Sequence, residues 1–105
     1  MTIGDWLAAR APAPPPELLA RLSDCLGPAI GRPVGELPEC AVETAEALLT
    51  GMLARGDTSR ATALDLLVVD SLVTYAFEAA ARDPETIGAR ARATMHRLSA
   101  LGRIA

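Results

Sequence analysis

The chain predicts an all-α fold: a small antiparallel four-helix bundle with a short extra N-terminal helix on a proline-rich arm. Three features carry that expectation. Apolar residues recur at helical spacing along four long segments. Proline, glycine, serine or aspartate stands at the ends of those segments, where such residues start and stop helices. The turns between the later segments are short, which makes neighbouring helices antiparallel. At 105 residues the length suits one domain, divided into an arm over residues 1–16 and a bundle over 17–105. Only 3 % of residues are aromatic although 50 % are apolar, so alanine and leucine must fill the core, and helices can pack closely.

Thr2 to Arg10 reads as the short helix. Thr2 caps it, and Asp5 takes the place three residues on that Glu or Gln usually fills. Ile3, Trp6, Leu7 and Arg10 share one side, so Trp6 either folds this helix back onto the core or marks a contact patch. The following APAPPP cannot be helical and reads as a stiff polyproline spacer that holds the Trp6 helix at a set distance.

Pro16 or Glu17 to Leu26 forms the first bundle helix, with Leu18, Leu19, Leu22, Cys25 and Leu26 inward and Gly27-Pro28 ending it. Gly27 to Pro38 is expected to be irregular, because Gly and Pro punctuate it throughout. Pro38 or Glu39 to Arg55 forms the next helix, with Val42, Ala45, Leu48, Leu49, Met52 and Leu53 inward. Gly56 is its left-handed stop.

Ala61 to Ala81 is the element around which the rest must wrap. It is the most apolar segment and holds the only Tyr and the only Phe. Leu64, Val68, Leu72, Tyr75, Ala76 and Ala79 fall together on a helical wheel, and Val69, Val73, Ala80, Leu66 and Phe77 widen that face. The apolar arc spans roughly 220°, against the ~100° stripe of an ordinary surface helix. Such an arc can exceed what three neighbours within one chain cover. Asp65, Asp70 and Glu78 interrupt the run, which excludes a membrane span. Thr58 or Ser59 caps the helix.

Asp83, Pro84 and Glu85 supply a cap, a first helical position and a first-turn acid for the last helix. It runs to about Leu101, with Ile87, Ala91, Met95 and Leu98 on a narrow apolar face and Thr94 and Leu101 at its edge.

The net charge is −3, so the whole chain is no polyanion binder and nucleic acid is not an expected partner. All basic residues are Arg, as a GC-rich genome favours. Charge is nonetheless segregated. Glu36, Glu39, Glu43 and Glu46 lie together, whereas Arg90, Arg92, His96, Arg97 and Arg103 follow the last acid. The two segments read as oppositely charged helices that pack side by side or satisfy their dipoles. The N-terminus does not resemble a signal peptide, and Cys25 and Cys40 suit a reducing compartment, so a cytoplasmic location is expected.

Asp65 is the anomaly, because it falls in the middle of the apolar arc. A buried carboxylate must be paired, hydrogen-bonded or neutral. Arg90 or Arg97 would reach it if the last helix packs antiparallel on the central one. A functional acid or ligand contact is the alternative. Asp70 and Glu78 lie on the polar arc with Thr74 between them, as solvated charges without a partner base.

Arg90, Arg92 and His96 are the candidates for catalysis. The five-residue gap between Arg90 and His96 is similar to the Arg–x4-6–His motif of the HEPN family of helical-bundle ribonucleases. That resemblance implies a His96 that acts as base or acid and an Arg90 or Arg92 that holds a phosphate. It covers two or three residues of one helix, and Ala91 replaces the polar residue usual after the motif's Arg. Cys25, Cys40 and His96 lack the paired spacing of a metal site. No metal or cofactor is expected.

The reading that follows is a non-catalytic interaction or accessory protein, with a protein partner or a second copy of itself in a homodimer. Trp6, Asp65 and Asp70 are its candidate interaction residues. A HEPN-like ribonuclease and a small-molecule-binding bundle are the alternatives.

Overall fold

The structure, a computed structural model, describes residues 1–56, 58–81 and 87–104. It is an all-α bundle, and among the described residues the only β pairing is an isolated bridge between Thr2 and Pro33. Its helices are α1 (Ile3–Ala8), α2 (Pro16–Leu26), α3 (Leu37–Arg55), α4 (Arg60–Ala80) and α5 (Ile87–Ile104). The expected start of α5 at Asp83, Pro84 and Glu85 lies outside the described residues.

Local chemistry explains most helix ends. At α1, the Thr2 hydroxyl accepts the Asp5 N–H at 3.1 Å and the Asp5 carboxylate accepts the Thr2 N–H at 3.0 Å, closing a reciprocal cap. The Thr2 backbone N–H and then the Thr2 side chain, both bonding to the Asp5 carboxyl, hold it below its usual value. Proline occupies the first turn of α2 and of α3, where its missing N–H is harmless. Gly56 ends α3 at φ 61°, a left-handed conformation open to glycine at little cost. Ser59 then caps α4 by accepting the Thr62 N–H at 3.3 Å.

Gly27 to Pro38 is more ordered than its glycines and prolines suggest. It folds into two 3-10 turns, Gly27–Gly31 and Val34–Glu36, and α3 starts at Leu37. Proline's fixed φ lies within the range of such turns, so a high proline content excludes long helices and not short ones.

The arm does not hold α1 away from the bundle. Ile3 and Leu7 are buried in the same core as Leu22, Leu37, Val68 and Leu72. The N-terminal strand of chain is pinned to the loop by two backbone bonds: Ile3 N–H to the Arg32 carbonyl at 2.9 Å and Val34 N–H to the Met1 carbonyl at 3.0 Å. Gly4 permits the approach, since a Cβ there would meet the Ile30 carbonyl oxygen at 3.2 Å. Within the spacer the Ala11–Pro12 peptide bond is cis.

α4 is the central element. Its most extensive contact is with α3, and α2 and α5 pack against it as well. Val68, Leu72, Ala76, Ala79 and Ala80 are buried along its inner face. α5 is rotated towards one edge of its expected apolar face. Thr94 and Leu101 are buried, whereas Met95, placed inward by the sequence pattern, is 59 % exposed. α5 also packs on α3, where Arg97 pairs with Glu46, so the basic and the acidic helix do lie side by side.

Candidate functional site

Three clusters meet on α4, and each contains a candidate residue. The first surrounds Asp65, which is only 6 % exposed. Arg21 of α2 donates to it twice, through Nε at 2.8 Å and Nη2 at 3.3 Å. Arg55 at the end of α3 stands 3.8 Å from its second oxygen. Among the described residues its partners are therefore Arg21 and Arg55, and not Arg97. Arg97 is engaged with Glu46, and the side chain of Arg90 lies outside the described residues. The carboxylate's hydrogen bond holds the Arg21 guanidinium above its usual value. Asp65 ties three helices together, and both its oxygens are occupied by arginine.

The second cluster fastens α1 to the far half of α4. Trp6 and Tyr75 meet edge to face, with ring centroids 5.5 Å apart. The Arg10 guanidinium lies 4.4 Å from the Trp6 ring centroid and 5.2 Å from that of Tyr75, and it also pairs with Glu78. Burial raises the Tyr75 hydroxyl above its usual pKa, with Arg10 opposing that shift. Trp6 is thus a half-buried wedge against the core.

The third cluster is the outer face of α4. Leu66 and Leu67 are 52 % and 55 % exposed, and Ala63, Asp70 and Thr74 lie in the open beside them. Arg60 at the start of the helix is exposed too. Neither Arg60 nor Asp70 forms an ion pair among the described residues. A surface groove beside this face is lined by Glu17 of α2 and by Arg60, Ala61, Ala63, Leu64 and Leu67 of α4.

The α5 candidates assemble into nothing comparable. Arg92 and His96 are exposed one turn apart. The groove beside α5 is lined instead by its Ala93, Thr94 and Arg97, with Pro38, Glu39 and Val42 of α3 and Ala76 and Phe77 of α4. Cys25 and Cys40 are free thiols, and the Arg32 guanidinium donates to the Cys40 sulfur at 3.5 Å. No group of three or more His, Cys, Asp or Glu among the described residues is placed to hold a metal ion. Among the same residues, no helix is long and apolar enough to cross a membrane.

Of the sequence candidates, Asp65 and Trp6 lie on inward faces and Asp70 on the outer one. Leu67 was missed by sequence reasoning, although its position between Ala63 and Asp70 at three- and four-residue spacing was there to be found. No protein-family model, curated protein or solved structure matches the chain.

Proposed function

We propose that this chain is a non-catalytic helical interaction protein that associates with a second copy of itself. One observation carries the reading. Leu66 and Leu67 stand more than half exposed, side by side, on the helix whose opposite face is buried in the core. Scattered exposed leucines are ordinary, but two adjacent ones on a central helix, with alanine beside them, form an apolar contact surface. A two-fold pair covers such a surface with its own copy, the commonest route to an oligomer.

A cytoplasmic location belongs to the same proposal, and the two free thiols support it. The ribonuclease alternative gains no support, because Arg92 and His96 border neither of the two grooves described above. The small-molecule alternative fares no better. Asp65 lines neither of those grooves, and its carboxylate is held by Arg21 and Arg55.

Sedimentation velocity across a concentration series tests the reading. The expected result is a shift from one chain's mass towards twice that mass, abolished by Leu67→Asp. A single-chain mass at every concentration overturns it.

A further inference from the structure

We infer that the second copy docks antiparallel along α4, with Arg60 of each chain against Asp70 of the other and Leu67 of each against Ala63 of the other. This rests on the self-association proposed above and adds its geometry. Arg60, Ala63, Leu67, Asp70 and Thr74 follow one another at alternating steps of three and four residues, and all are exposed. That spacing is the seam of a two-helix coiled coil, whose residues keep to one line down the helix. An inward seam is already used by the core, so this outward one is a second line on the same helix, exposed at each of these positions.

The seam is self-complementary about one level. Arg60 and Asp70 stand five residues to either side of Asp65, and Ala63 and Leu67 stand two to either side. Turning a second helix end for end about that level therefore brings opposite charges together at both ends, about 15 Å apart. Between them a large side chain faces a small one, twice. The parallel arrangement does the reverse, since it sets Arg60 beside Arg60 and Asp70 beside Asp70. The charges choose the direction, and the leucine–alanine layers supply the apolar contact. Leu66 lies at the edge of the seam and extends the apolar strip.

The contact is short. Two leucine–alanine layers bury less than the roughly 800 Å² per partner of a standard interface, so the pair forms and dissociates with concentration. Its strength should also fall as salt rises, because its two end pairs are solvent-exposed.

A charge-swap cycle decides the matter. Arg60→Asp and Asp70→Arg each turn both end pairs into like-charge contacts, and each should weaken the dimer about tenfold. The double variant restores both pairs in reversed sense and should return the dissociation constant to within about threefold of the wild type. Both positions are exposed, and an acid at the first turn of α4 suits the helix, so the fold is retained and circular dichroism checks it. A wild-type dimer whose strength none of the swaps changes overturns the seam and leaves self-association standing. Single swaps that weaken the dimer without rescue by the double variant also overturn the seam. A wild type that stays monomeric overturns both.

Discussion

The two faces of α4 carry the same kinds of side chain and meet opposite fates. Leu72 on the inner face is fully buried, whereas Leu67, five residues earlier, is 55 % exposed. Asp65 on the inner face is held by Arg21 and Arg55, whereas Asp70 on the outer face has no ion pair among the described residues. Residue type did not sort them. The sorting came from how many helices a small chain can lay around one rod. With α1, α2, α3 and α5 packed against it, the side of α4 that carries Ala63, Leu66, Leu67, Asp70 and Thr74 stays exposed. The inner face uses Leu72 and Asp65 to fix the fold, and the outer face leaves the same kinds of group exposed.

The largest expected effect tests the inner face. Leu72→Ala removes a side chain with no solvent exposure from the contact of α4 with its neighbours, and it should cost about 3 kcal/mol through lost burial and the cavity left behind. Chemical denaturation measures it. A loss under about 1 kcal/mol would mean that the inner face collapses around the gap and is no better packed than the outer one.

The next effect concerns charge. Arg21→Ala leaves the Asp65 carboxylate buried with only Arg55, at 3.8 Å. Breaking a fully buried pair costs about 3–5 kcal/mol, but the Arg21 side chain is partly exposed, so a value of about 2 is expected. Adding Asp65→Asn to that variant should recover part of the loss, because the amide leaves no bare charge behind. An outer-face counterpart, Asp70→Ala, should change monomer stability by less than about 0.5 kcal/mol. Equal costs for Arg21→Ala and Asp70→Ala would erase the contrast between the faces.

A smaller effect is expected at Leu66. Leu66→Ser on the outer face should alter monomer unfolding by no more than about 0.5 kcal/mol, measured at a concentration too low for association. A loss near that of Leu72→Ala would show that the outer face is covered within one chain.

Much of this arrangement could be read from the residues. The bounds of α2, the stop at Gly56, the cap at Ser59 and the inward place of Asp65 all follow from local chemistry or helical phase. What escaped needed three dimensions. Any of several arginines satisfies a buried aspartate, and only the packing of α2 against α4 selects Arg21. Leu66 sat at the rim of a wide apolar arc, and a wheel cannot say how far neighbours reach around it. Met95 and Leu101 lie about 120° apart around α5, and a wheel does not say which edge of so narrow an apolar face its neighbours cover. The 3-10 turns and the bonds that tie Met1 and Ile3 to the loop depend on a contact across about thirty residues that no local pattern encodes.

The subtlest test listens to the inner face through a thiol. Cys25 on α2 is half-buried near Arg21 and Asp65. Burial raises its pKa above the usual thiol value, the nearby Asp65 and Asp24 carboxylates add to that rise, and Arg21 opposes it. The unfolded chain therefore loses this proton first as pH rises. The resulting stability is complete below the ordinary thiol value and falls away as pH climbs through the raised one. Only the thiolate reacts with an alkylating agent, so at about pH 8.5 Cys25 should be modified several-fold more slowly in the native protein than in the denatured one, as followed by peptide mass mapping. In Arg21→Ala the favourable charge is gone while Asp65 remains. Native alkylation should then slow further, provided the fold persists. Faster alkylation in that variant would mean that Arg21 shields the sulfur sterically and that charge on the inner face is not what sets its reactivity.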